Sequence, residues 1–391
     1  MQKAKVVIGG AFGDEGKGLF TDYFANAIPN SLVIRFNGGA QAGHTVVTPE
    51  GNRHVFGHFG SGSFAKVPTY LSKFFIVNPI VFAKELAVLK KKGVDPSVLV
   101  SPNCIVTTPY DMLVNQIVEE YRDANRHGSC GIGINETIRR NQVLPINVHD
   151  LRNPLYLVTM LDNIRSKYVP ERLKVLGVDV IPVKYLELLQ SDNIIRNFME
   201  DCKNFISSVS VERLPDFSKY ETLVFEGAQG LQLDQNSKNF PFVTPSNTGM
   251  ANVLEIISDF KLELDVETVY LTRSYTTRHG AGNFPYELKE KPFKKILDMT
   301  NVPNDFQGTL RFSHLNLDEL IEAINKDKKD MAMSIGISCV DQVDDENSIP
   351  CIYNGEEVIL SLEGIRDTLW LRCDTESFYI SRGMTRETVT V

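Results

Sequence analysis

The start of the chain joins a short apolar strand, a turn rich in glycine and an amphipathic helix. Val6 to Ile8 are apolar and β-branched, the turn from Gly9 to Gly18 reads GGAFGDEGKG, and Leu19 to Ala27 has apolar side chains at helical spacing. Nucleotide-binding α/β folds begin with this order of elements. We therefore expect an α/β fold with a mostly parallel central sheet flanked by helices.

Further along the chain, short apolar runs predict strands and amphipathic runs predict helices. The predicted strands are Leu32 to Phe36, Thr222 to Phe225, Thr268 to Leu271 and Met333 to Ile337, and the predicted helices are Ile80 to Lys92, ending before Gly93, and Asp318 to Asn325. The stretch 167–216 reads as mainly helical. Since we find no repeat and no linker, we expect one large domain over residues 1–391, with a helical insertion at 151–216 as an option.

Composition excludes several classes of protein. A net charge of −8 over 391 residues is unlike a protein that coats nucleic acid. The six cysteines form no CxxC pair, which is typical of reduced thiols in the cytoplasm. The N-terminus runs directly into the first strand, and no apolar run has the length of a membrane span. We expect a cytoplasmic protein that binds neither nucleic acid nor a membrane.

The first glycine-rich turn is typical of an anion-binding site. Glycines let the backbone direct N–H groups at an anion, the following helix N-terminus adds partial positive charge, and Lys17 supplies a cation. The common phosphate-loop pattern GxxxxGK[ST] fails twice, because Ala11 replaces its first glycine and Gly18 its hydroxyl residue. The alternative is a flexible turn that contains a lysine by chance.

Asp14 is unusual in such a turn, because a carboxylate repels a bound phosphate. A functional explanation for Asp14 is that it holds Mg²⁺ or accepts a proton from the substrate. The alternative is that Asp14 caps the following helix.

Three later polar segments carry further candidate residues. Residues 37–45 read NGGAQAGHT and place His44 after a strand, where an imidazole could stabilise charge on oxygen, although a lone histidine is more often structural. Residues 225–234 and 240–249 combine Gln and Thr with glycines, which suits recognition of a base and a phosphate. Residues 275–282 place Arg278 in another glycine-rich turn.

In this order, the segments resemble the adenylosuccinate synthetase family. The family motifs GDEGKG, AGHT, FEGAQG, PxVTxSNT and YTTRxGxGxFPxEL correspond to Gly13–Gly18, Ala42–Thr45, Phe225–Gly230, Pro241–Thr248 and Tyr275–Leu288, with a fainter match at Ile380–Gly383 and Arg386. The resemblance implies a P-loop-like nucleotide-binding fold with helical and small antiparallel subdomains.

It also implies a ligase that joins L-aspartate to C6 of IMP through a 6-phosphoryl intermediate, driven by GTP or ATP, in purine biosynthesis. Asp14 would accept the N1 proton of the purine and hold Mg²⁺ together with the Gly43 carbonyl. Lys17 would steady the transferring charge, and His44 would support the phosphoryl group.

Other positions match the family's binding residues. Gly13, Glu15, Gly16 and Gly18 would bind phosphate, and Gln41, Gln229 and Thr244 would face the purine nucleotide. Ser129 would bind the 5′-phosphate, in the loop that begins at His127. Asp341, Ser381 and Gly383 would contact the nucleoside triphosphate. Arg139, or alternatively Arg140, would reach into the site of a partner subunit, which implies a homodimer.

The chain also departs from the family pattern. The arginine-rich loop that binds aspartate shrinks to residues 307–311, which leaves Thr309 and Arg311 for that role. Cys339 replaces a lysine beside the base-reading Asp341, so the choice between GTP and ATP stays open. Phage-encoded relatives use dGMP instead of IMP, but the presence of Asp14 favours IMP. A non-catalytic nucleotide-binding paralogue is the rival interpretation.

Overall fold

A computed structural model describes residues 1–28, 30–123, 128–297 and 309–391. Its strands are β1 Gln2–Gly9, β2 Ser31–Arg35, β3 His44–Val47, β4 Arg53–Phe56, β5 Thr69–Leu71, β6 Val98–Val100, β7 Ser210–Val211, β8 Thr222–Gly230, β9 Leu264–Arg273, β10 Tyr275–Arg278, β11 Glu287–Leu288, β12 Arg311–Asn316, β13 Ala332–Ser338, β14 Ile349–Tyr353, β15 Glu356–Leu360, β16 Ser377–Ser381 and β17 Val389–Thr390. Its helices are α1 Lys17–Ala27, α2 Pro79–Lys91, α3 Pro109–Arg122, α4 Ile134–Asn141, α5 Pro154–Asn163, α6 Val169–Val175, α7 Val183–Gln190, α8 Asp192–Ser208, α9 Met250–Phe260, α10 Leu317–Asp327 and α11 Leu362–Cys373.

The largest sheet in the described residues has ten strands in the order β17-β16-β13-β9-β1-β8-β2-β5-β6-β7. All of its neighbouring pairs are parallel except β16 with β17. The predicted fold class, a mostly parallel sheet flanked by helices, is confirmed.

Helices cover both faces of this sheet. In β1, Val6 and Ile8 join an apolar cluster with side chains of α9, α10 and α11, whereas Val7 packs with Phe20 and Phe24 of α1. Since alternate side chains of a strand point to opposite faces, the continuous apolar run of β1 is the pattern expected for a strand buried on both sides.

The predicted elements are all present, with shifted ends. Helix α1 begins at Lys17, two residues before the predicted start at Leu19, so Lys17 lies in its first turn. Helix α2 begins at Pro79, where the side chain of Asn78 caps two backbone N–H groups. The predicted helical stretch 167–216 contains α6, α7 and α8. Whether 151–216 is a separate insertion stays a prediction.

Two smaller sheets accompany the central one. Strands β10, β12, β14 and β15 form one of them, in which β11 also pairs with β12. The other is the antiparallel hairpin of β3 and β4. Among the described residues, no helix combines the length and apolar character needed to cross a bilayer.

A buried carboxylate supports the turn after β4. Glu85 of α2 accepts the backbone N–H groups of Gly57 at 2.9 Å and His58 at 2.8 Å, and it lies 3.4 Å from Nε2 of His54. Burial opposes its ionisation, but the contacts with His54 and His58 outweigh that effect and lower the pKa of Glu85 to about 2. Gly57 also packs against Ala40, next to the segment that carries Gln41 and His44.

We expect Glu85→Gln to lower the free energy of unfolding at pH 7 by roughly 2–4 kcal/mol, because the buried N–H groups lose a charged acceptor. The native pKa lies below the unfolded value of 4.5, so this stabilisation is complete above pH 4.5 and is lost as the pH falls towards 2. Denaturant unfolding at pH 7 and pH 4 measures the effect. Glu200→Gln, at a side chain that is 60% exposed, is the control; an equal loss in both variants would contradict this prediction.

Candidate active site

The glycine-rich turns meet at one edge of the central sheet. Strand β1 lies between β8 and β9, with Gly9 opposite Gly230 on one side and Leu271 on the other. The first turn follows β1, and the segment with Gln41 and His44 follows β2, so both leave the same edge. A Cβ atom at Gly18 would lie only 2.7 Å from the Thr45 carbonyl oxygen and 3.1 Å from the His44 Cβ, so only glycine allows α1 to approach His44 this closely.

Glu15 occupies the interior of the first turn. Its carboxylate accepts the N–H of Ala11 at 3.1 Å and of Gly13 at 2.8 Å, and its other oxygen lies 2.5 Å from Nζ of Lys17. Both charged side chains are almost fully buried. The N–H group of Gly13, a residue expected to bind phosphate, is therefore already bound to a carboxylate of the protein, as is that of Ala11.

Asp14 lies in the same turn and has a left-handed backbone conformation, with φ of 65°. Its carbonyl oxygen accepts a hydrogen bond from Nε of Arg273, and its Oδ2 lies 3.3 Å from Nε2 of His279. Burial opposes ionisation, but the interaction with His279 and the charges of Arg273 and Lys17 hold the pKa of Asp14 well below its usual value. The N-cap residue of α1 is Gly16, and no side chain caps this end of the helix. The capping role considered for Asp14 is therefore not observed.

His44 begins β3 and is held by a buried carboxylate. Its Nδ1 lies 2.6 Å from Oε1 of Glu226, which also accepts the Ser61 hydroxyl, while Oε2 accepts the Ser61 N–H at 3.0 Å. Nε of Arg35 lies 3.9 Å from Oε2. Nε2 of His44 is buried and has no hydrogen-bond partner among the described residues, so it is placed to meet a ligand.

The charge state of His44 follows from this arrangement. Burial lowers the pKa of His44, although Glu226 raises it, and the net shift is downward. A neutral imidazole that donates from Nδ1 to Glu226 carries a bare Nε2, which accepts hydrogen bonds. His44 therefore becomes a donor to an anionic oxygen only when it takes up a proton, which an adjacent anion favours.

Glu226 was missed by sequence reasoning, which took only Gln229 from the FEGAQG segment. One signal was present, because Arg35 is a charged residue within the predicted strand Leu32 to Phe36 and Glu226 directly follows another predicted strand. In the structure they are direct neighbours in the pairing of β2 with β8, and both are completely buried.

The residues expected to face the purine lie close to these turns. The Gln229 Cα is 3.9 Å from the position of a Cβ on Gly13, in the first turn. The side-chain oxygen of Gln41 is buried without a hydrogen-bond partner in the described part of the chain. Thr244 is fixed through its backbone N–H, which donates to the Leu233 carbonyl at 2.9 Å.

The residues expected to bind the 5′-phosphate and to reach a partner subunit lie next to α3 and on α4. The Ser129 hydroxyl accepts a hydrogen bond from the amide of Asn115 on α3, at 2.9 Å; His127 lies outside the described residues. Arg140 is completely buried, with Nη2 3.0 Å from Asp111, so it cannot extend into another subunit. Arg139 is exposed on the same helix, which leaves it as the remaining candidate.

Arg311 differs most from expectation. Its Nε donates to Glu287 at 2.8 Å, its Nη2 pairs with the same carboxylate, and Nη1 donates to the carbonyls of Gly280 and Gly282 at 3.0 Å each. The cation expected to clamp aspartate is therefore already compensated within the protein. Thr309 is exposed, and positions 307 and 308 of the same loop lie outside the described residues.

The residues expected to contact the triphosphate follow two strands of the central sheet. Asp341 is exposed just beyond β13, after Cys339 in a left-handed conformation with φ of 60°. Ser381 ends β16, and its hydroxyl donates to the Gly383 carbonyl at 2.8 Å. The Ser338 hydroxyl donates to the Glu15 carbonyl at 3.0 Å, which ties the end of β13 to the first turn.

A parallel sheet that carries a carboxylate, a lysine and an imidazole on glycine-rich turns at one edge is the arrangement typical of nucleotide-binding α/β folds. The sequence model of the family described as adenylosuccinate synthetase matches residues 6–310. The chain belongs to this family.

Individual relatives support the assignment. The adenylosuccinate synthetase of Mesoplasma florum is 32% identical over 288 residues, which cover 72% of this chain and 64% of that protein. The Lactobacillus acidophilus adenylosuccinate synthetase is 31% identical over 79% of this chain and 70% of its own length. The match to the Mesoplasma florum protein thus spans a little less than two thirds of its length.

Solved structures support the fold. A fully ligated adenylosuccinate synthetase from Plasmodium falciparum superposes with a TM-score of 0.71 at 17% identity, covering 99% of each chain. The succinoaminodeoxyadenylate synthetase PurZ of cyanophage S-2L, bound to dGMP and to dATP as an energy donor, superposes with a TM-score of 0.57 at 14% identity, covering 100% of this chain and 95% of that one.

We expect the Glu226–Arg35 pair to be strongly coupled. Glu226→Gln should lower the free energy of unfolding by roughly 3–5 kcal/mol, because the completely buried Arg35 loses the stronger of the two carboxylate charges, Glu226 and Glu85, that compensate it. Arg35→Met should also destabilise the protein, but the double variant should lose clearly less than the sum of the two. Denaturant unfolding of the four proteins measures the coupling, and additive losses would show that the two charges do not interact.

Proposed function

We propose that this protein is a ligase that joins L-aspartate to C6 of a 6-oxopurine nucleotide, converting IMP to adenylosuccinate through a 6-phosphoryl intermediate. GTP or ATP would drive the reaction, which belongs to purine nucleotide biosynthesis. The observation that carries the proposal is the convergence of Asp14, Lys17 and His44. Helix α1, which begins with Lys17, packs against His44 at Gly18, and the charge of Lys17 acts on both Asp14 and His44.

In the first step, Asp14 accepts the N1 proton of the purine, so that O6 becomes nucleophilic and attacks the γ-phosphorus of the triphosphate. The lowered pKa keeps Asp14 ionised at neutral pH, as a proton acceptor must be. Lys17 compensates charge on the transferring group. His44, once protonated, donates from Nε2 to a phosphoryl oxygen, while Glu226 holds its Nδ1.

In the second step, the amine of L-aspartate attacks C6, inorganic phosphate leaves with the C6–O6 bond electrons, and the new nitrogen loses its proton.

The ionised Asp14 and the exposed Gly43 offer oxygen ligands of the kind that Mg²⁺ prefers, and Mg²⁺ is usually held by one or two carboxylates together with substrate phosphates. When bound, it would supply charge compensation for the transferring phosphoryl group.

The remaining roles are proposed from position and family resemblance. Gln41, Gln229 and Thr244 face the purine, and Ser129 binds its 5′-phosphate. Glu15 and the glycines of the first turn, with Asp341, Ser381 and Gly383, bind the triphosphate, and Thr309 and Arg311 bind aspartate. Arg139 reaches into a second subunit, which makes a homodimer the working unit.

All six cysteines are free thiols, which fits a reducing compartment such as the cytoplasm.

The alternative acceptor is dGMP, which would give 2-amino-2′-deoxy-N6-succinyladenylate. The PurZ structure, described as bound to dGMP, supports the alternative only through a shared fold. Asp14 in the first turn favours IMP. A non-catalytic nucleotide-binding protein is the rival class, and the buried, ordered contacts of Lys17 and His44 argue against it.

Turnover assays distinguish these possibilities. We expect phosphate release and a succinylated purine product from the purified protein only when Mg²⁺, L-aspartate, a nucleoside triphosphate and IMP are all present. Replacing IMP by dGMP, and GTP by ATP, identifies the acceptor and the donor. Tight nucleotide binding without turnover in every combination would support the non-catalytic interpretation instead.

We expect Asp14→Asn to lower kcat by at least about 100-fold while the affinity for the purine nucleotide changes little, since the amide cannot accept the N1 proton. Asp95→Asn, at a side chain that is 90% exposed, serves as the control and should keep wild-type turnover. A near-normal rate for Asp14→Asn would disprove its assignment as the base.

We expect Arg311→Ala to raise the KM for aspartate about tenfold or more, with little change in the KM for the purine nucleotide, because the substrate carboxylate that would replace Glu287 on Arg311 loses a bidentate partner. Glu287→Gln is the variant for comparison, because it keeps Arg311 but removes the carboxylate that pairs with it. If both variants raise both KM values equally, Arg311 only supports the 280–287 loop.

A further inference from the structure

Asp14 is held at two points by the segment 273–279, which runs from the end of β9 through β10. Nε of Arg273, at the end of β9, donates to the Asp14 carbonyl oxygen. Nε2 of His279, just after β10, lies 3.3 Å from Oδ2 of the same residue. One segment therefore contacts both the backbone and the side chain of Asp14.

The position of Asp14 needs such contacts. Its φ of 65° is a conformation that residues other than glycine seldom adopt, and its neighbours Gly13 and Gly16 also have positive φ, at 98° and 91°. Glycine-rich backbone of this kind has many alternative conformations, so the turn by itself does not fix the direction of the carboxylate.

His279, by contrast, follows a well-anchored residue. Arg278 is 1% exposed, and its guanidinium donates to the carbonyls of Asn283, Phe242 and Ala281 at 2.9–3.0 Å. The same guanidinium lies over the ring of Phe12, with 4.6 Å to the ring centroid, so β10 is also tied to the first turn. The His279 imidazole is thus presented to Asp14 from a fixed support.

We propose that His279 is a positioning residue for Asp14: its imidazole binds Oδ2 of the carboxylate and leaves Oδ1 free for the substrate. This inference rests on the proposed function, in which Asp14 accepts the proton from N1. Residue 279 stands at an unspecified position of the YTTRxGxGxFPxEL pattern, so the resemblance to the family does not imply the contact.

The contact predicts a defined kinetic effect. His279→Ala should lower kcat about tenfold or more and change the KM for the purine nucleotide less than about twofold, because the carboxylate is less often in the reactive orientation. His279→Gln should recover a substantial part of kcat, since its side-chain amide nitrogen lies near the position of the histidine Nε2 and can donate towards Asp14. The control is His149→Ala, which removes an exposed histidine 3.2 Å from the Asp150 carboxylate and should leave kcat unchanged.

Unchanged kcat in His279→Ala would overturn the inference and leave the proposed function intact. So would equal losses of kcat in the Ala and Gln variants accompanied by equal drops in melting temperature, since that pattern indicates a purely structural role. A wild-type protein without turnover would instead overturn the proposed function.

A spectroscopic measurement tests the contact without activity. In protein labelled with ¹⁵N-histidine, the ring resonance of His279, assigned by its loss in His279→Gln, should shift in Asp14→Asn. The ring resonance of His149 should not. An unshifted His279 resonance would show that the two side chains do not interact in solution, whatever the enzyme's activity.

Discussion

The parallel pairing of β1 with β8 on one side and β9 on the other is the constraint on which the site depends. It places Gly9 opposite both Gly230 and Leu271, so three chain segments leave the sheet at one level. Because β2 pairs with β8 in turn, Arg35 and Glu226 meet as neighbours, and Glu226 reaches His44. A shift of one residue in this register would turn Glu226 to the opposite face of the sheet and leave Arg35 and His44 without it.

The fold could be read from the sequence wherever the signal was local. The apolar run of β1 and the glycines after it predicted a buried parallel strand and a turn, and both are present. The ends of elements were less accessible, since the start of α1 depends on Gly16 adopting a left-handed conformation rather than on a side-chain cap. The order of the ten strands in the sheet follows from tertiary pairing, which no local pattern encodes.

In the site, residue type revealed the chemistry but not the contacts. Asp14, Lys17 and His44 were identified because charged and imidazole side chains beside glycines are unusual. The contacts that hold these residues were not predicted. Glu226 is 182 positions from His44 in the sequence, and Glu15 binds backbone N–H groups that any turn contains. Arg311 illustrates the converse, since an arginine that matched a binding loop proved to be paired with Glu287.

The carboxylate inside the first turn has a thermodynamic consequence. An anion that binds the N–H groups of Ala11 and Gly13 must displace Glu15, which already satisfies them and shares the charge of Lys17. Binding there is an exchange of one anion for another, so its free energy is the difference between two similar interactions. Small monovalent anions gain little from such an exchange. A polyphosphate that made further contacts elsewhere along its length would gain more from the same exchange.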